Sequence, residues 1–372
     1  MSAHCESGID QEVNMNRKIT REIRVGDIHI GNGMPVVVQS MNSTNTLDID
    51  GTLRQIRELH EAGCELTRVA IPNMDAAEAL NSIVSASPIP VVADIHYDYR
   101  LALAAIENGA AKIRINPGNM KDDAAVAKVA AAARERHIPI RVGVNSGSIA
   151  PAVVDRFGGV NADSMVFSAI NAIQLLEREN FSDIIVSIKS SDPRLMIESY
   201  RLLSQQIDYP LHLGVTEAGT VKEGVIRSAV GIGTLLAEGI GDTIRVSLTG
   251  DPVDEVYAAY SILKSLGLRQ KGVTLISCPT CGRTAVPLIE VANEIESRIK
   301  GLPYNIKVAV MGCAVNGPGE AREADVGIAG GDGEFLLFKK GKPIRKISKD
   351  NVIEELMTEI HLSGTESQNR GK

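Results

Sequence analysis

Eight times between Met34 and Gly267 the chain repeats one unit: a short apolar run, a polar or glycine-bearing turn, then a stretch of helical period. The runs are MPVVVQSM (34–41), LTRVAIP (66–72), PVVADI (90–95), KIRINPG (112–118), PIRVGVNSG (139–147), DIIVSIKSSD (183–192), PLHLGVTEAG (210–219) and DTIRVSLTG (242–250). Between them lie amphipathic stretches such as DDAAVAKVAAAARERH (122–137) and VKEGVIRSAVGIGTLLAEG (221–239). The last, DPVDEVYAAYSILKSLG (251–267), opens with Asp251 as N-cap and Pro252 in the first turn. Strands alternating with helices require parallel pairing with crossover helices. An open doubly wound sheet would satisfy that as well. Eight units in about 230 residues, however, match a closed barrel, whose usual size is ~250 residues. The expected fold class is α/β, a (β/α)8 TIM-type barrel. TREIRVGDIHIGNG (20–33) reads as a hairpin around a Gly-Asp turn, placed to plug the barrel bottom.

After LRQKG (268–272) the pattern changes. VTLISCPTCGR (273–283) is a strand running into a turn, PLIEVANEIESRIK (287–300) a helix and IKVAVMGC (306–313) a strand. EFLLFKKGKPIRKI (334–347) reads as a hairpin and NVIEELMTEIHL (351–362) as a closing helix. The domains expected are a flexible leader over 1–18, the barrel with its hairpin over 19–268, a smaller α+β domain over 272–362 and a disordered tail over 363–372.

Aromatic residues are only 3% of the chain and Trp is absent, so the core must be Val, Ile, Leu and Ala, as suits parallel strands buried on both faces. No run approaches a membrane-spanning length, and the N-terminus has no apolar stretch typical of a secretory signal. The net charge of −7 argues against a general nucleic-acid surface. Five cysteines without such a signal point to the reducing cytoplasm, where a C-x-x-C binds metal or does redox chemistry rather than forming a structural disulfide. Cys5 and Cys64 read as ordinary thiols.

Barrel chemistry sits at the C-terminal ends of the strands. Arg68, Arg114, Arg141, Lys189 and Arg245 recur there, each embedded in an apolar strand. A buried cation needs a carboxylate or a bound anion. Internal salt bridges would account for any one of them. The carboxylates at that end are fewer, namely Asp94, Asp192 and Glu217, so a surplus of cations remains. Guanidinium forks suit phosphate oxygens, which points to a small, multiply anionic substrate, a phosphate or diphosphate. Asn116, Asn145 and His96 gather at the same rim, His96 reading more simply as a capping or hydrogen-bonding histidine.

Cys278 and Cys281 in SCPTCGR, with Cys313 in MGCAVNGPGEA, give three thiols and no fourth. Zinc with His361 as a distant fourth ligand is one reading. An iron–sulfur cluster completed by an oxygen ligand is the other, with Glu320, Glu323 and Asp325 nearby. A carboxylate binds such an iron more weakly than a thiolate does.

SCPTCGR, followed some thirty residues later by GCAVNGPGEA, resembles the (E)-4-hydroxy-3-methylbut-2-enyl diphosphate synthase family of the non-mevalonate isoprenoid pathway. VVVQSM, VVADIHYDYR, RINPGN, IPIRVGVNSGS, VSIKSSD, YRLLSQQIDYPLHLGVTEAG and EGIGDTIRVSL agree with it, in order, from about Thr20 to Ile347. The resemblance implies a [4Fe–4S] cluster on Cys278, Cys281, Cys313 and Glu320. It implies reductive ring opening of 2-C-methyl-D-erythritol 2,4-cyclodiphosphate, with loss of water, to 4-hydroxy-3-methylbut-2-enyl diphosphate. Arg68, Arg114, Arg141, Lys189 and Arg245 would clamp the substrate with Asn145 and Ser247. Glu217 would act as acid or base, and Asn316 would position the substrate near the cluster. Flavodoxin or ferredoxin would donate the electrons. A homodimer, one chain's cluster domain capping the other's barrel, is implied as well. The competing readings are a non-redox phosphate-ligand synthase barrel with a zinc-stapled appendage, and a non-enzymatic zinc-dependent binding module.

Overall fold

The computed structural model describes residues 17–116, 120, 123–313, 319 and 321–370. The chain divides after Arg269 into two compact units. The expected leader lies mostly outside the described residues. Its last two positions, Arg17 and Lys18, are held by the first unit: the Arg17 guanidinium donates to Met34 O at 2.6 Å and the Lys18 backbone N–H to Gly239 O at 2.9 Å.

In the first unit, strands β1 (Ile23–Val25) and β2 (Ile28–Ile30) form an antiparallel hairpin. Eight parallel strands follow: β3 (Val37–Met41), β4 (Leu66–Ala70), β5 (Val91–Asp94), β6 (Lys112–Ile115), β7 (Ile140–Asn145), β8 (Ile184–Lys189), β9 (His212–Leu213) and β10 (Thr243–Ile244). Their order is β8-β7-β6-β5-β4-β3-β10-β9, and a parallel bridge from Val186 to Leu211 joins the two ends into a barrel. The last two strands are far shorter than their apolar runs. Regular pairing stops at Leu213 and Ile244, and the polar, glycine-bearing remainder of each run becomes loop.

Around the barrel run α1 (Ile49–Ala62), α2 (Met74–Ala86), α3 (Tyr99–Glu107), α4 (Asp123–Glu135), α5 (Pro151–Phe157), α6 (Ala162–Arg178), α7 (Pro193–Ser204), α8 (Val221–Ala237) and α9 (Pro252–Ser265). Several begin just past a strand end on an N-cap that satisfies an orphan backbone donor. Asn73 accepts from Ala76 N, Asp98 from Arg100 N, Asp192 from Arg194 N and Asp251 from Val253 N. Asp192 is thereby corrected: its carboxylate caps α7 and is absent from the residues lining the barrel mouth. A strand end followed by Asp-Pro is a capping signature, and capping uses that oxygen.

The barrel interior alternates with the strand period. At the bottom, Ile23, Val25 and Ile30 of the hairpin pack with Val37, Leu66, Val92 and Ile185, so the hairpin plugs the barrel. Two residues further along these strands, towards the C-terminal end, the inward positions become polar or charged.

The second unit is a five-stranded sheet ordered β11 (Thr274–Ser277), β12 (Lys307–Met311), β13 (Val326–Gly330), β14 (Glu334–Lys339) and β15 (Lys342–Ser348). The first three strands are parallel and the last two antiparallel. Helices α10 (Leu288–Ile299) and α11 (Val352–Arg370) complete it. Ile295, Val308, Val310, Ile328, Leu337, Leu356 and Ile360 belong to one buried core. Helix α11 runs on to Arg370, which corrects the expected disordered tail from residue 363. Among the described residues no helix is long and apolar enough to cross a membrane.

Candidate active site

Parallel pairing puts the C-terminal ends of all eight barrel strands on one side, and the two-residue side-chain period selects which residues face inward. The inward set includes Arg68 on β4, Asp94 on β5, Arg114 on β6, Arg141 and Asn145 on β7, and Ser187 and Lys189 on β8. Thr216 follows β9, and Arg245 and Ser247 follow β10. Together with His96 they line one cavity of about 220 Å3. The sequence-derived substrate residues Arg68, Arg114, Arg141, Asn145, Lys189, Arg245 and Ser247 are thus brought together. A larger cleft of about 610 Å3 lies elsewhere, beside Arg21, Glu177, Asp208 and Tyr209. Its polar groups already meet one another, Arg21 pairing with Asp208 at 2.9 Å and the Tyr209 hydroxyl donating to Glu177 at 2.8 Å.

Two carboxylates answer part of the mouth's charge. Asp94 lies 3.3 Å from Arg114 Nη1, 3.8 Å from Arg68 Nε and 3.7 Å from His96 Nε2. Burial pushes its carboxyl up, but Arg68, Arg114 and Arg141 outweigh that and hold it down to about 2. Glu255, in the first turn of α9, accepts from Arg245 Nη2 at 2.9 Å, Arg245 Nε at 3.2 Å, Ser40 Oγ at 2.9 Å and Leu248 N at 3.0 Å.

Among the described residues Arg141 and Lys189 form no ion pair with a carboxylate. Arg141 is 1% exposed, and its Nη1 donates to Ser187 Oγ at 3.2 Å. Its Nε and Nη2 meet no acceptor among the described residues. Burial, then Arg68 and Arg114, drives its pKa well below the ordinary arginine value. Lys189 is 6% exposed. Burial, then Arg141, Arg68, Arg245 and Arg114, all cations, lowers its pKa steeply.

Two glycines, Gly143 within β7 and Gly214 just past the end of β9, make room for this packing. A Cβ on Gly143 would stand 2.4 Å from Arg114 Nε, and one on Gly214 would stand 2.7 Å from Lys189 Nζ and 2.6 Å from Arg245 O. A glycine inside a strand pattern signals such close approach, and RVGVNSG and LGVTEAG both carry it. Glu255 and Ser187 carry no such signal: the first reads as an ordinary helix-start glutamate, the second as a small strand residue.

Glu217 stands apart from this lining. It is exposed, on the loop after β9 beside Thr216, with φ at +51°. A non-glycine residue held there stores strain, of order 1–3 kcal/mol. Asn116 is buried beyond the end of β6 and has a partner of its own. Asn316 and Glu320 lie outside the described residues.

The thiols belong to the second unit. Cys278 follows β11 directly and Cys313 lies just beyond β12. Because Ser277 pairs with Val310 in parallel register, both leave the sheet at the same end. Gly312 N–H donates to Cys278 Sγ at 3.1 Å, and Cys281 N–H donates to Thr284 Oγ1 at 3.1 Å. The Arg283 backbone and guanidinium hold the exposed Cys281 thiol below its usual range, favouring thiolate. Cys278, Cys281 and Cys313 are all free. Among the described residues no three His, Cys, Asp or Glu are gathered closely enough to hold a metal ion. The fit to a thiolate-bound group therefore rests on donor chemistry and shared strand ends.

The chain matches two family models, the GcpE TIM-barrel domain over residues 20–260 and the GcpE protein C-terminal domain over residues 274–362. It is 57% identical, over 93% of its length and 98% of the relative's, to a 4-hydroxy-3-methylbut-2-en-1-yl diphosphate synthase (flavodoxin) of Ruminiclostridium cellulolyticum. It is 55% identical to the synthase of the same name from Clostridium acetobutylicum, over 93% of this chain and 99% of that one. Among solved structures, a dihydropteroate synthase from Stenotrophomonas maltophilia overlaps 66% of the chain and 96% of its own, with 14% identity and a TM-score of 0.49.

Proposed function

The chain belongs to the GcpE family, and from that premise we propose how its residues divide the work. It is an oxidoreductase of isoprenoid biosynthesis. It reductively opens 2-C-methyl-D-erythritol 2,4-cyclodiphosphate and releases water to give 4-hydroxy-3-methylbut-2-enyl diphosphate. We read the barrel mouth as the diphosphate site. The observation that carries this is Arg141 and Lys189, both buried and both lining the mouth cavity, with no ion pair to a carboxylate among the described residues. Left unmatched they destabilise the fold, and a bound diphosphate is the anion that would match them. Arg68, Arg114 and Arg245, oriented by Asp94 and Glu255, complete the clamp, while Asn145 and Ser247 hydrogen-bond the substrate at the rim. Glu217, in its strained backbone next to the cavity-lining Thr216, is assigned the proton transfer to the departing hydroxyl.

We read Cys278, Cys281 and Cys313, with Glu320 as fourth ligand, as the holders of a [4Fe–4S] cluster, and Asn316 as a polar positioning group beside it. When bound, such a cluster supplies electrons one at a time. Flavodoxin, named in the relatives, is the donor proposed, and the cytoplasm the compartment.

Protein purified without oxygen is expected to carry about four iron and four acid-labile sulfide per chain, and to convert the cyclic diphosphate when given reduced flavodoxin. About one zinc per chain, without sulfide, would overturn the redox reading and favour a zinc-stapled barrel. We also propose a homodimer. Sedimentation equilibrium should return about twice the chain mass of 39.7 kDa; a single-chain mass would rule the dimer out.

A further inference from the structure

The interior of a (β/α)8 barrel is ordinarily filled by layers of bulky aliphatic side chains. Directly beneath the cationic mouth this one is polar instead. Gln39 on β3, Lys112 on β6, Arg141 on β7, His212 on β9 and Thr243 on β10 are each 0–1% exposed. Among the described residues Lys112 Nζ has one hydrogen-bond partner, Gln39 Oε1 at 3.3 Å. His212 Nδ1 meets Thr243 Oγ1 at 3.3 Å. Gln39 Nε2 and His212 Nε2 meet nothing among the described residues.

The charges facing Lys112 are of its own sign: Arg141 from β7 and Arg68 from β4. His212, from β9, feels Lys112 in turn. Arg114 lies two positions along its own strand, and the nearby carboxylate, Asp94 on β5, is engaged by Arg114 and Arg68. Burial, then Arg141 and Arg68, drives the Lys112 pKa well below the lysine range. Across mouth and floor, six buried or nearly buried cations (Arg68, Lys112, Arg114, Arg141, Lys189 and Arg245) therefore face two carboxylates among the described residues, Asp94 and Glu255.

We propose that Lys112 is a charge-matching residue beneath the substrate site: uncharged while the mouth is empty, it takes up a proton from solvent as the diphosphate settles above it. This rests on the reading of the mouth as the diphosphate site. Lys112 acts through Arg141, which it faces, and is a positioning residue. The chemistry suits a site that can gain positive charge. Two electrons and one proton convert the cyclic diphosphate dianion, with loss of water, into a product diphosphate trianion.

The test uses the oxidised full chain and the cyclic diphosphate itself, whose two phosphates have no proton that titrates near neutral pH. Binding heats are measured at pH 7–8 in buffers of different ionisation enthalpy, which counts the protons exchanged. The wild-type chain should take up about one proton, and its affinity should fall up to about tenfold per pH unit as pH rises. Lys112→Met should still bind, more weakly, with that uptake lost. Binding without uptake in the wild-type chain would overturn the proposal. So would full uptake retained by Lys112→Met, which would move the proton to Lys189 or His212. A folded Lys112→Met chain that binds nothing would also overturn it, making the lysine a direct ligand. No binding by the wild-type chain would overturn both this proposal and the reading of the mouth.

A second readout needs no ligand. The unfolded chain holds the lysine proton up to about pH 10.5, and the folded empty chain does not. Stability of the empty chain should therefore rise with pH below that value, and less steeply in Lys112→Met. Equal slopes in the two chains would count against the proposal, and this comparison decides the matter if the variant is too unstable for calorimetric binding.

Discussion

Glu255→Ala is expected to lower the unfolding temperature of the substrate-free chain by roughly 10 °C, from a loss of about 3–5 kcal/mol. The effect is large because one carboxylate serves four donors. Arg245 reaches it through Nη2 and Nε, Ser40 through its hydroxyl and Leu248 through its backbone N–H. The Glu255 side chain is 3% exposed and that of Arg245 only 17%, so solvent cannot take over. Removing the acid leaves a nearly buried guanidinium among Arg68, Arg141 and Lys189, and breaking such a pair from one side is much more damaging than removing both partners. Glu255→Ala combined with Arg245→Met should therefore recover a large part of the lost stability. Scanning calorimetry of the two single variants and the double variant checks this. A double variant as unstable as Glu255→Ala would mean that packing, not charge pairing, sets the effect. Saturating cyclic diphosphate should restore part of the melting temperature in Glu255→Ala, because the anion then offers Arg245 another partner.

Why Glu255 escapes a reading of the chain is instructive. The barrel is legible because its determinants are local. Each strand is a continuous apolar run, each helix follows with its own period, and caps such as Asp98 and Asp251 mark the starts. The cations are legible for a related reason, since Arg68, Arg114, Arg141 and Lys189 interrupt runs that should otherwise be aliphatic. Their partners are not local properties. Glu255 looks like any acidic residue in a first helical turn, and only the way the β10–α9 turn folds back brings it to Arg245, ten residues earlier. Asp192 shows the converse: a carboxylate at a strand end suits the mouth, yet the backbone N–H of Arg194 claims it. Strand β13 is hidden because VGIAG is short, mostly glycine and alanine, and is a strand only through its pairing with β12 and β14. Lys112 opens its strand, where a lysine ordinarily reaches solvent, so its complete burial follows from the hairpin that plugs the barrel beneath the strands. The thiols are legible as a spacing, while their common strand end depends on the parallel pairing of β11 with β12.

Arg141→Met should move stability and binding in opposite directions. Among the described residues the arginine, which is buried, makes one side-chain hydrogen bond, to Ser187, and faces Arg68, Arg114, Lys112 and Lys189 without an ion pair to a carboxylate. In the substrate-free chain that is an unfavourable place for a charge. Methionine fills similar volume without it, so the empty variant should melt several degrees higher than the wild-type chain. The cyclic diphosphate should bind it about 100-fold more weakly, since losing charge-assisted hydrogen bonds from Nε and Nη2 costs about 2–3 kcal/mol. The gap in melting temperature between liganded and free protein should shrink accordingly. Arg141→Lys should lie between, keeping the charge but not the two-pronged donor geometry. A variant that is less stable when empty and still binds normally would make Arg141 a structural member of the barrel wall, and the anion would then have to be held by Lys189 and the rim alone. Stabilisation together with lost affinity would show that the barrel keeps its charge surplus for the ligand, at the expense of its own fold.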